Sequence, residues 1–155
     1  MSELLKSIDA RTKLAGTNKL EILLFSLGTN SITGRRETFG INVFKVREVM
    51  RTPPITSAPE MPASVEGMVS LRGALVPVVD LAKYAGVTTD SPRSIMIVTE
   101  YAGHTQGFLV EGVDTILRLD WSQMKVPPDM MMAEMGGLVT AVTELPDGRL
   151  VMMMD

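Results

Sequence analysis

The side chains that could do chemistry are few and scattered. His104 is the only histidine, in "YAGHT" between two apolar runs. A histidine relay needs a nucleophile on one side and an orienting acid on the other, and no nucleophile-elbow motif supplies them. Cysteine is absent, which removes disulfides, thiolate nucleophiles and thiolate metal sites. No H-E-x-x-H, Walker-type loop or dinucleotide fingerprint occurs, and the glycines are scattered at turns rather than clustered to cradle phosphate. Glu111 and Asp114 are close enough in sequence to hold a cation weakly, but no oxygen-ligand loop surrounds them. Two acids joined only by folding would leave no signature. The reading is therefore no enzyme, no cofactor and no metal, with His104 a solvated turn residue.

Composition narrows the partners. The 155 residues are 45% hydrophobic and 21% charged, enough to bury a core in one domain or two small subdomains. Net charge is -3, the pI is near 5.2, and there are only one Trp, two Tyr and four Phe. Neither attraction to a phosphate backbone nor stacking on bases is favoured, so nucleic acid is not an expected partner. No apolar run approaches the roughly 20 residues that span a bilayer, and "MSELLKSIDARTKLAG" has no signal-peptide core. A cytoplasmic protein without membrane insertion is expected. Thirteen methionines suit irregular cores or adaptable surfaces.

The elements that must position any functional residue are mostly strands. Leu4, Ile8 and Leu14/Ala15 share one helical face with Leu5 beside it, so residues 1–17 are read as an N-terminal helix before a domain over 18–155. Strands are expected at 20–27, 38–43, within 44–51, and on both sides of Arg72-Gly73. Residues 52–62 hold four prolines and should be irregular, with Pro62 opening a short helix through Val65. Pro77 marks its strand as an edge or as locally irregular. "LAKYA" (81–85) is a short helix stopped by Gly86. Strands follow at 94–100, 106–112 and 113–119, then a hairpin across Pro146-Asp147-Gly148. Alternation puts Met152 and Met154 on one face of the last strand and Met153 on the other. The methionine-rich loop 124–135 is a further possible contact surface.

A faint repeat links the halves. Gly40, Val43, Val46 and Val49 recur 67 residues later as Gly107, Val110, Val113 and Ile116. Each set follows a strand and a hairpin loop, which suggests two similar small barrels.

"SLRGALVPVVDL" (70–81) resembles the hallmark of the chemotaxis coupling proteins of the CheW family, with Leu71, Arg72, Gly73, Pro77, Asp80 and Leu81 in place and Ser70 where asparagine is usual. "FGINVFKVREVM" (39–50) is similar to a second family motif through Gly40, Lys45, Val46 and Glu48, with Asn42 replacing an aspartate. "GFLVEGVDTILRL" (107–119) and "GRLVMMMD" match two more, so the resemblance covers about residues 18 to 155. The N-terminal residues resemble the start of the CheV branch, which carries a receiver domain after its CheW-like part; no receiver is present in this sequence.

The resemblance implies a mainly β fold of two intertwined five-stranded β-barrel subdomains with short helices. It also implies a non-catalytic adaptor that joins chemoreceptor cytoplasmic tips to the regulatory domain of the CheA histidine kinase, with other CheW-like proteins as further partners. Such an adaptor needs an apolar groove with a charged rim. By resemblance, Val46, Glu48 and Arg72, with Leu71 and Gly73 around the arginine, are the expected contact residues. Val110 and Val113, with Ile116, are a second expected patch, against the alternative that they are core. For Arg72 the alternative is a solvated turn arginine or an internal ion pair with a nearby acid such as Asp80. The competing function is a small-ligand-binding double barrel.

Overall fold

The computed structural model describes residues 19–57, 62–125 and 139–154. The predicted N-terminal helix and most of the methionine-rich loop lie outside these residues. Among the described residues there are ten strands: β1 (Lys19–Thr29), β2 (Arg36–Asn42), β3 (Val46–Arg51), β4 (Val65–Leu71), β5 (Ala74–Asp80), β6 (Ile95–Tyr101), β7 (His104–Val110), β8 (Gly112–Asp120), β9 (Val139–Glu144) and β10 (Leu150–Met154). One α-helix, α1 (Leu81–Ala85), follows β5. Asp80 caps its first turn, and Gly86 ends it in the left-handed conformation.

Two five-stranded sheets result, in the orders β8-β1-β2-β10-β9 and β3-β6-β7-β5-β4. The predicted barrels are therefore nearly closed sheets. Among the described residues, one bridge joins the two edges of each, Thr56 to Met68 in the second sheet and Lys125 to Val142 in the first, with paired backbone hydrogen bonds of 2.8–2.9 Å. Gly67 makes the first of these bridges possible. A Cβ there would stand 2.1 Å from the Thr56 carbonyl oxygen.

The 67-residue echo is a structural repeat. Gly40 faces Leu24 on one side and Met153 on the other; Gly107 faces Val98 and Val78 in the same way. Val46 opposes Thr99 and Val113 opposes Phe25, while Val49 opposes Ile97 and Ile116 opposes Leu23. Both ladders shift register between these pairs. The chain also exchanges strands. It leaves β2 of the first sheet through a 3-10 turn (Val43–Lys45) and adds β3 to the second sheet. It leaves β7 of the second sheet through Glu111 and adds β8 to the first.

Three cores follow from strand alternation. The first sheet curls around Leu20, Ile22, Leu24, Val151 and Met153. The second curls around Val69, Val76, Val78, Met96 and Val98. Their outer faces meet in a shared core of Leu23, Phe25, Phe39, Ile41, Ile97, Val110, Met152 and Met154, joined by Leu81, Ala82 and Ala85 of α1. The Met152/Met154 against Met153 split is as the alternation predicts, and both faces of β10 are buried. Fully burying each such side chain stabilises by about 1.5–3 kcal/mol.

One expectation needs correction. Pro62 opens a turn closed by the Val65 amide donating to its carbonyl (2.9 Å), and β4 begins at Val65, so no helix forms there. Of the two readings of Pro77, local irregularity holds: β5 is flanked by β4 and β7, and its pairing with β4 shifts register opposite Val78 and Val79. Its parallel ladder to β7 begins at Val78, one residue past the proline that lacks a donor.

Candidate partner-binding surface

Arg72 and Gly73 form a two-residue turn between β4 and β5, with φ of 50° and 83°. Positive φ at both positions is the signature of a type I′ hairpin, whose twist suits the flanking strands. Glycine adopts it freely, whereas any residue with a Cβ, such as arginine, is disfavoured there by roughly 1–2 kcal/mol. The neighbouring β6–β7 hairpin uses the same turn, with Ala102 at 54° and Gly103 at 81°. An arginine kept in this conformation projects its guanidinium off the end of the sheet, with 60% of the side chain exposed.

There it meets Glu48 on the edge strand β3. Both Arg72 Nη atoms donate to the Glu48 carboxylate, one of them at 3.4 Å. The pair crosses the gap between β3 and the β4–β5 turn, where the sheet's two edges have no ladder between them. Asp80 is engaged elsewhere: it is buried, accepts from Arg93 Nε at 3.2 Å, and caps α1. Arg93 also donates to the Thr89 and Ser91 carbonyls, which fixes the loop after α1.

A groove of about 330 Å³ lies beside the turn, walled by Arg47, Leu71, Arg72, Leu75 and His104. Leu75 is 72% exposed and Val49, on β3, 39%. Arg47 pairs with Glu100 at 3.1 Å on its rim. The arrangement is apolar contact area ringed by charge, the anatomy of a protein-binding patch. Leu75 escaped the sequence reading, although alternation around buried Val76 and Val78 assigns it to the outer face.

The predicted residues separate. Glu48, Leu71, Arg72 and Gly73 gather at this surface. Val46 lies at its base, half-buried against the shared core. Val110 is 1% exposed within that core and cannot present its side chain to a partner, which corrects its place in the second patch. Val113 and Ile116, on the outer face of β8, are 37% and 53% exposed. Leu150, which holds in the first sheet the place of Leu75 in the second, is also exposed. Each sheet thus carries a matching set of exposed aliphatic residues: Val49 and Leu75 on one, Ile116 and Leu150 on the other.

Glu111 is no cation ligand. Arg36 grips its carboxylate with both Nη atoms, and Ser26 Oγ donates to it at 2.8 Å. The Arg36 guanidinium, helped by Ser26 and working against partial burial, holds the Glu111 carboxyl below its usual range and raises the arginine's own pKa. The clamp pins the point where the chain crosses from β7 to β8. His104 opens β7 beside the turn and is exposed. Among the described residues, no group of three or more His, Asp or Glu side chains could hold a metal ion.

Comparison with known proteins bears on these surfaces. Residues 21–155 match the model of the CheW-like domain. The chain is 30% identical over 145 residues to the chemotaxis protein CheW of Klebsiella aerogenes, covering 91% of this chain and 82% of that protein. It is 26% identical over 172 residues to the chemotaxis protein CheV1 of Helicobacter pylori, covering all of this chain and 52% of that longer protein. The crystal structure of the scaffolding protein TtCheW from Thermoanaerobacter tengcongensis is similar, with a TM-score of 0.76, 28% identity and 88% of both chains covered.

Proposed function

Because the chain belongs to the CheW-like domain family, we propose that its Arg72 turn and the apolar residues around it are one of two contacts that join a chemoreceptor's cytoplasmic tip to the CheA kinase. The chain is a coupling adaptor of chemotaxis signalling and not an enzyme. An adaptor needs two surfaces on one rigid body, and the observation that carries this reading is the pair of matching patches. Val46, Glu48, Leu71, Arg72 and Gly73, with Val49 and Leu75, form the first; Val113, with Ile116 and Leu150, forms the second.

The first patch suits the helical hairpin of a receptor tip. Leu75 and Val49 offer apolar area to a helix face, and Glu48 and Arg72 supply charge that sets orientation and encounter rate more than affinity. The second suits a barrel of the kinase regulatory domain or of another CheW-like protein, since β8 is an exposed edge strand. Assembly at membrane-bound receptor arrays follows from these partners. Among the described residues, no helix is long and apolar enough to cross a membrane.

The test mixes the full chain with a receptor cytoplasmic fragment and, separately, with the kinase regulatory domain. Each binary affinity should lie in about the micromolar range, because array contacts multiply. Arg72→Glu should weaken the receptor contact and spare the kinase contact, and Ile116→Glu should do the reverse. Loss of both contacts in either variant, with the fold intact, overturns the assignment of one patch to each partner.

A further inference from the structure

The repeat lets the two surfaces be compared position by position. The registers set Val46 and Val49 on Val113 and Ile116, and so Arg47 on Asp114. They set Gly107 on Gly40, and so His104 on Glu37. Counting back from the equivalent Leu75 and Leu150 reaches a left-handed glycine in each sheet, Gly73 at φ 83° and Gly148 at φ 89°, and before it Arg72 and Asp147. Glu37 is half-buried, and Arg47, Arg72, His104, Asp114 and Asp147 are exposed. At all three positions a basic side chain on the first surface is replaced on the second by a carboxylate.

The surroundings sharpen the contrast. A groove of about 420 Å³ at the second surface, walled by Glu37, Thr38, Val113, Asp114 and Arg149, matches the groove of about 330 Å³ beside Arg72, with Thr38 in the place of Thr105. On the first surface each arginine has its acid, Arg72 with Glu48 and Arg47 with Glu100. On the second, the places of Glu48 and Glu100 hold neutral Thr115 and Ser26. There Arg149 pairs with Asp147 at 2.8 Å, and Arg36 closes on Glu111. Among the described residues, nothing forms an ion pair with Glu37 or Asp114. The named charges of the first surface therefore balance, whereas the second is left with two unpaired carboxylates.

Apolar area cannot tell the two surfaces apart, since Val49 and Leu75 on one recur as Ile116 and Leu150 on the other. Charge can, because a like charge set opposite repels the wrong partner while the right one is drawn in. We propose that this inversion of sign sorts the partners, with Arg47 and Asp114 as its main determinants; the proposal rests on the reading that each surface takes a different partner. The partner of the second surface sets a lysine or arginine against Asp114 and Glu37, beside the aliphatic Val113. The partner of the first sets an acid within reach of Arg47 and Arg72. Asp114 then turns away the first partner, and Arg47 the second.

The test titrates the full chain with the receptor cytoplasmic fragment and with the kinase regulatory domain, at about 0.05 M and about 0.5 M salt. Asp114→Arg should weaken the kinase contact at least about tenfold at low salt and leave the receptor contact within about twofold. Asp114→Asn should lose less. The wild-type kinase contact should weaken as salt rises, and that of Asp114→Arg should not. Arg47→Asp should weaken the receptor contact and spare the kinase contact. Both positions are exposed, so the urea midpoints should stay at the wild-type value. Ile116→Glu separates two kinds of failure. If it spares the kinase contact, or if wild type binds neither partner, the underlying reading falls and this inference with it. If it breaks the kinase contact while Asp114→Arg leaves that contact intact, the reading stands and sorting by charge is overturned.

Discussion

At the scale of single residues, two ion pairs do different work. Arg72 is largely exposed and Glu48 half-buried, so water still screens their pairing and it adds little to stability, on the order of 0–1 kcal/mol. Arg72→Ala should therefore leave the denaturant midpoint almost unchanged while weakening the receptor contact, a split that calorimetry and urea titration together resolve. Gly73→Ala should cost more, roughly 1 kcal/mol, because its φ of 83° strains any side chain. Glu111 is the opposite case. Its carboxyl is held below the usual value by Arg36, so the stability it adds is fully present above the unfolded pKa and is lost as pH falls through the lower folded pKa. Wild type should lose stability below about pH 4.5, and Glu111→Gln should flatten that limb; equal acid limbs by urea titration at pH 7 and pH 3 would refute the clamp. Arg72 was legible as the residue that must leave the core, because its apolar flanks and Gly73 require it. Its partner was not, since Glu48 is joined to it only by the curl of the sheet. Val110 was misread because a valine in a strand carries no mark of which face is covered by another sheet.

At the scale of elements, barrel closure rests on small features. The Thr56–Met68 bridge needs a backbone without a Cβ at Gly67, where φ is 149°. Gly67→Ala should push β4 away from residue 56 and destabilise by about 1–3 kcal/mol. Hydrogen exchange should show the Thr56 and Met68 amides losing protection first, and retained protection there would contradict the account. Strand positions, the short helix and both hairpin turns were legible, because alternation, Gly86 and Asp-Gly are local signals. Strand order was not. Nothing within "FKVREVMR" records that β3 abandons its own hairpin for the other sheet; that choice is made by the shared core, far away in sequence.

At the scale of the whole molecule, the exchanged strands and the shared core bind the two sheets into one body. Ile22→Ala, within the first sheet's own core, should cost about 2–5 kcal/mol. Its effect should appear equally in the exchange rates of Val98 and Gly107 in the second sheet, because the sheets cannot unfold separately. Protection lost in the first sheet alone would show that they can. The 67-residue echo made the two-fold design legible from four residues, and the registers now fix each equivalence. The exchange also makes each half of the chain depend on the other. The half β1–β5 supplies two strands of the first sheet and three of the second, and the half β6–β10 supplies the other three and two, so neither half completes a sheet alone. The chain is in effect a strand-swapped pair of like halves on one polypeptide, and those halves, expressed separately, should fold only on meeting each other.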